Sequence, residues 1–66
     1  MNKYEVVIED IYDKNKTSNV VIYQTNAQLA HKDGLRHVNA LREEISKITL
    51  RGKVVYTFRS GFTDNE

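Results

Sequence analysis

Sixty-six residues, 39% hydrophobic and 29% charged, describe one small globular domain, too apolar for a disordered chain and near the lower size limit for folding without staples. The absence of Cys excludes disulfides and thiolate-bound metal, so packing alone must hold the fold. A formal net charge of +1 falls well short of domains that grip phosphate backbones strongly.

The charge is unevenly spread. Residues 1–13 set Lys3 against Glu5, Glu9, Asp10 and Asp13, whereas residues 31–59 carry seven Lys or Arg against Asp33, Glu43 and Glu44. Such asymmetry bears on orientation and encounter more than on fold. The first ten residues run straight into a strand pattern and hold no long apolar stretch. A cytoplasmic chain with no membrane span is therefore expected.

Residues 4–11 alternate, with Tyr4, Val6 and Ile8 on one side and Glu5, Val7, Glu9 and Ile11 on the other. That period of two predicts a strand. The polar cluster at 13–19 predicts a loop, and the β-branched run at 20–25 a second strand, making a hairpin. Thr25 with Gln28 three residues on has capping-box spacing. From there Ala27, Ala30, Gly34, Val38, Leu41, Ile45 and Ile48 recur at steps of three or four, which predicts one amphipathic helix. Its small residues come first and would let the helix approach the sheet closely. Gly34 lowers helix stability by about 1 kcal/mol relative to Ala, so a bend there is open. A turn is predicted at Arg51-Gly52, then a third strand with Val54, Tyr56 and Phe58 alternating with Val55, Thr57 and Arg59. Residues 60–66 are expected to fray.

The order is ββαβ, an α+β fold with one amphipathic helix on one face of a small, mainly antiparallel sheet. Pairing the third strand with the first gives the strand order 2-1-3, and residues 1–66 form a single domain.

Catalytic and metal signatures do not emerge. His31 and His37 stand six apart on the predicted helix and diverge, whereas residues at i and i+4 would converge on a metal. Asp33 and His37 have ion-pair spacing. Ser18, Ser46 and Ser60 have no histidine nearby in sequence to activate them. Glu5 and Glu9 lie about 13 Å apart along a strand, too far for a glycosidase pair. Gly34, Gly52 and Gly61 are scattered and make no phosphate-binding loop. No catalytic residue, cofactor or metal is assigned.

Arg36, Lys47, Arg51, Lys53 and Arg59 are the candidate nucleic-acid residues, provided that they share a face. Against them, Glu43 and Glu44 have helix-pair spacing with Lys47. The second face of the sheet points elsewhere. One helix covers only one face, leaving Val7, Ile11, Val21, Tyr23 and Val55 toward water, rimmed by Glu5, Glu9 and Arg59. An apolar centre with a polar rim has the anatomy of an interface. Three strands offer only roughly 300 Å² of face, against about 800 Å² per partner in a standard complex. A sheet edge must help, and the second strand carries no Pro and no charge in Val20-Val21-Ile22-Tyr23 to block strand addition.

The expected function is thus a non-catalytic protein-binding module acting through the open sheet face and an edge strand, its partner another protein or a second copy. Nucleic-acid binding is the alternative. In size and layout, a lone ββαβ unit without Cys or Pro resembles the small accessory proteins that bacteriophages and mobile elements encode to bind and redirect host proteins. The resemblance implies a partner-binding inhibitor and assigns no residue a role.

Overall fold

The computed structural model describes residues 1–63. Five strands and one short helix follow in the order β1 (Asn2–Asp10), β2 (Thr17–Gln24), α1 (Ala27–Gly34), β3 (Glu43–Leu50), β4 (Lys53–Thr57) and β5 (Gly61–Phe62), with a 3-10 turn at Leu35–His37 after the helix. The strands form one antiparallel sheet in the order β2-β1-β3-β4-β5. The fold is α+β, with α1 on one face.

The hairpin β1–β2 forms as the alternation predicts. Tyr4, Val6 and Ile8 point into the core with Ile22 opposite Tyr4 and Val20 opposite Val6. Pairing runs on to Glu9 opposite Thr17, so Thr17-Ser18-Asn19, expected in the loop, belong to β2. These residues are exposed on an edge strand, and the apolar partners that order them, Val7 and Ile8, lie on β1.

The helix is the main correction. It spans eight residues rather than the stretch to Ile48, and Ile45 and Ile48 lie on β3. The ladder between β1 and β3 shifts between Val7 and Ile8: Val7 pairs with Lys47 and Ile8 with Ile45, leaving Ser46 as an extra residue. A β-bulge of this kind puts two inward residues three apart, a spacing that a regular strand never shows and a helix does. With Thr49 they make a β-branched run suited to a half-buried strand.

The cap also differs. Asn26, in extended conformation, is the N-cap, and its side-chain oxygen accepts the Leu29 N–H at 2.9 Å. Asn26→Ala should lower stability by about 1 kcal/mol, whereas Thr25→Ala should change it by less than about 0.5 kcal/mol. Urea titration of the two variants checks this, and the reverse order would refute the assignment.

The small residues do what their size suggests. Ala27, Ala30 and Gly34 are buried under the helix, and a Cβ built on Gly34 would stand 3.1 Å from Ile45 Cδ1 and 3.3 Å from Val6 Cγ1. Beyond the 3-10 turn, Val38 is extended. Asn39 then accepts the Glu43 N–H on its carbonyl at 2.7 Å, and Glu43 accepts the Asn39 N–H on its carboxylate at 2.9 Å. This reciprocal pair starts β3 where the helix was expected to continue. The Arg51-Gly52 turn is as predicted: with φ of 53° and 81° and Leu50 opposite Lys53, it is a two-residue I′-type hairpin loop.

Among the described residues, the buried charged side chain is that of Asp10. Asp10 ends β1 only 6% exposed. Its carboxylate accepts the Tyr12 N–H at 2.8 Å, the Asp13 N–H at 3.1 Å and Arg42 Nε at 3.1 Å. The Ile11 N–H donates to the Arg42 carbonyl at 2.7 Å. Asp10 therefore ties the β1–β2 loop to the segment entering β3. The Tyr12 N–H, then the Arg42 and Asp13 donors, hold its carboxyl below the ordinary 3.8 against the opposing effect of burial.

An Asp with a depressed folded value binds fewer protons folded than unfolded, so its contribution is full above 3.8 and is lost as pH falls through the folded value. Asp10→Asn should flatten the acid arm of the stability–pH profile and lower stability at neutral pH. Denaturant midpoints from pH 7 to acid would show it, and an acid arm parallel to that of the unmodified chain would refute the role.

At the far edge, Phe62 of β5 packs against Tyr56 and His31, with ring centroids 4.8 and 5.6 Å away, and His31 lies 4.7 Å from Tyr56. Burial among these rings holds the His31 imidazole below 6.5. Part of the tail expected to fray therefore enters the sheet at Gly61-Phe62; residues 64–66 of it lie outside the described residues.

Candidate protein-binding surface

The sheet face away from α1 reads in rows across the strands. Tyr23 stands opposite Lys3. Val21, Glu5, Thr49 and Val54 form the next row, then Asn19, Val7, Lys47 and Thr57. Thr17, Glu9 and Glu44 form the last. Polar side chains thus interrupt the face, and the expected single apolar centre does not form. Val7, Val21 and Tyr23 instead gather toward the β2 edge, with Val21 diagonal to Val7, a distance that side chains span.

Val55 leaves the interface set. It is 6% exposed and belongs to the core. The β3–β4 ladder pairs Ile48 with Tyr56 and Thr49 with Val54, so Val55 is the extra residue of a second bulge. The bulge reverses the phase of the strand. Tyr56 stays on the helix side against His31, but Val54, expected inward, moves to the open face, and Phe58 lies in the turn after β4 at 62% exposure. Ile11 sits beyond the end of β1, tied by its N–H to Arg42 and apart from the open-face group.

The β2 edge is the most open part of the sheet. Eight residues pair with β1 without a register shift, whereas both other long ladders carry one. Residues 17–24 contain no charge and no Pro, and Val21 and Tyr23 are 48% and 58% exposed. Natural edges are usually blunted by Lys, Pro, a bulge or shortness. The opposite edge, β5, is two residues long. Only the β2 side lacks such protection.

Glu9 and Arg59 occur together in a cleft of about 390 Å³ at one end of the open face, with Lys14, Glu44, Lys47 and the exposed Phe58. Two carboxylates stand among three cations there, so the cleft presents no single sign. The five candidate nucleic-acid residues do not form one patch. Lys47 and Arg59 line this cleft, Arg51 and Lys53 sit at the β3–β4 turn, and Arg36 is on the 3-10 turn after α1. Glu43 and Glu44 are on β3 with Lys47, so their helix-pair spacing does not apply. Glu44 faces Glu9 across the ladder.

The expected Asp33–His37 pair gives way to Asp33 accepting Gln24 Nε2 at 2.6 Å, a tie between helix and β2. Among the described residues no three His, Asp or Glu side chains group to hold a metal ion, and no helix is long and apolar enough to cross a membrane. Asp10 and the aromatic group around His31 escape sequence reading. The one signal for Asp10 is its inward parity with Tyr4, Val6 and Ile8.

The chain matches no family model, no curated protein and no solved structure.

Proposed function

We propose that this chain is a non-catalytic protein-binding module that takes an extended segment of its partner along the β2 edge, with Val7, Val21 and Tyr23 supplying the side-chain contacts beside it. The carrying observation is an eight-residue edge strand, unbroken and uncharged, with two of its apolar side chains in water. Strand addition draws affinity from main-chain hydrogen bonds and specificity from alternate side chains, and β2 offers both. An accessory or inhibitory role toward the partner is part of the same proposal and rests on the resemblance in size and layout.

The test is selection of extended octapeptides from a displayed library, followed by NMR titration of the labelled chain. Bound peptides should shift the amides of residues 17–24, and Val21→Lys with Tyr23→Lys should weaken binding at least about 10-fold, the cost of roughly 1.4 kcal/mol. Both side chains are largely exposed, so the substitutions leave the core intact. Binding that maps to the helix, or that survives both substitutions, would overturn the proposal. The dispersed basic residues predict at most weak DNA or RNA binding with a shallow salt dependence.

A further inference from the structure

We infer that the strand completing the β2 edge is β2 of a second copy of this chain, paired antiparallel about a two-fold axis through Val21. This rests on the edge reading above and narrows its partner to self.

Residue pairing supports a symmetric match. With Val21 on the axis, Val20 meets the partner's Ile22, Asn19 meets the partner's Tyr23, and Ser18 meets the partner's Gln24. Residues of equal parity meet, so each sheet face continues across the join: core-side Val20 and Ile22 on one side, open-face Val21 and Tyr23 on the other. A charge within the edge would be brought near its own copy by the two-fold, and residues 17–24 hold none.

The charges beyond the strand ends are complementary. Lys16 still stands opposite Asp10, whose N–H donates to the Lys16 carbonyl at 3.0 Å. In this arrangement Lys16 falls diagonal to the partner's Gln24. Gln24 is the residue that holds Asp33 at 2.6 Å. The same cation–anion approach occurs at both ends of the axis, as two-fold symmetry requires.

Area sets the strength. With Val21 on the axis residues 18–24 overlap, and seven residues at about 3.4 Å each, across a sheet layer about 10 Å thick, present roughly 240 Å² per copy. A standard complex buries about 800 Å² per partner. The dimer is therefore of the weak, reversible class and forms in proportion to concentration.

Sedimentation of the full chain from ~10 µM to ~1 mM, which brackets weak dissociation constants, tests this. The expected result is a monomer–dimer equilibrium that Val21→Lys abolishes. The chain has no native Cys, so single-cysteine variants report the geometry. Under mild oxidation Val21→Cys should cross-link rapidly, because on the axis its Cα lies within the 4.4–6.8 Å reach of a disulfide. Tyr23→Cys should not, since four residues of strand, about 14 Å, separate it from its copy.

A monomer at every concentration would overturn the inference. So would cross-linking at Tyr23→Cys in preference to Val21→Cys. If the chain stays monomeric while selected octapeptides still shift residues 17–24, the edge accepts strands and only the self-partner falls. If neither occurs, both readings fall.

Discussion

Ile48→Ala is expected to remove about 2–5 kcal/mol of unfolding free energy, the range for emptying a buried aliphatic site. Ile48 is fully buried on β3, opposite Val6 on one side and Tyr56 on the other. It is held between two paired strands, so the cavity term adds to the lost transfer energy. A chain of this length has on the order of 3–10 kcal/mol in total, so the loss is a large fraction of it. Val54→Ala, at a site 42% exposed on the neighbouring strand, should cost less than about 1 kcal/mol. Urea midpoints at constant m value separate the two. Equal effects would contradict the placement of residues 43–50 as a strand with Ile48 inward.

Gly34→Val carries the second large effect. A Cβ at this position meets Ile45 Cδ1 at 3.1 Å, Val6 Cγ1 at 3.3 Å and Ile22 Cδ1 at 3.6 Å. One added methyl requires those neighbours to yield by a few tenths of an ångström. Against that, the helix gains about 1 kcal/mol from replacing Gly by Ala. Gly34→Ala should therefore stay within about 1 kcal/mol of the unmodified chain. Valine adds two further methyls against the same three strands, and overpacking should cost roughly 1–3 kcal/mol or more. Thermal melts of both variants check the pair. A valine variant as stable as the alanine variant would mean that the helix can lift from the sheet.

The sequence was legible where local pattern and tertiary pairing agree. Tyr4, Val6 and Ile8 alternate on an unbroken strand, and Arg51-Gly52 has the chemistry of its turn. Ala27, Ala30 and Gly34 announce close packing by size alone. Among the misreadings, two trace to single residues. Ser46 and Val55 are bulge residues, and a one-residue insertion in a ladder shifts every side chain beyond it to the other face. The first made Ile45 and Ile48 look helical; the second exchanged Val54 with Val55. Nothing local marks a bulge here, since neither position is a glycine, and the extra residue is defined only by its partner strand. For the candidate surface, the exposed edge of β2 and the outward Val21 and Tyr23 were readable from alternation. The dispersal of the basic residues was not, because it depends on which strand each one occupies.

The sheet consists of the hairpin β1–β2 and the meander β3–β4–β5, joined along one seam. Within the hairpins partners lie close in sequence, as with Glu9 and Thr17 or Leu50 and Lys53. The seam joins Tyr4 to Leu50 and Asp10 to Glu43, and its loop must be closed before its contacts form. Gly34 sits over that seam, where a Cβ would meet Val6 on one side and Ile45 on the other. Hairpins of this kind form on the microsecond scale, and docking one against the other under the helix is expected to be the slower step. Mutations confined to a single hairpin turn should leave the folding rate almost unchanged and speed unfolding, whereas those along the seam should slow folding itself.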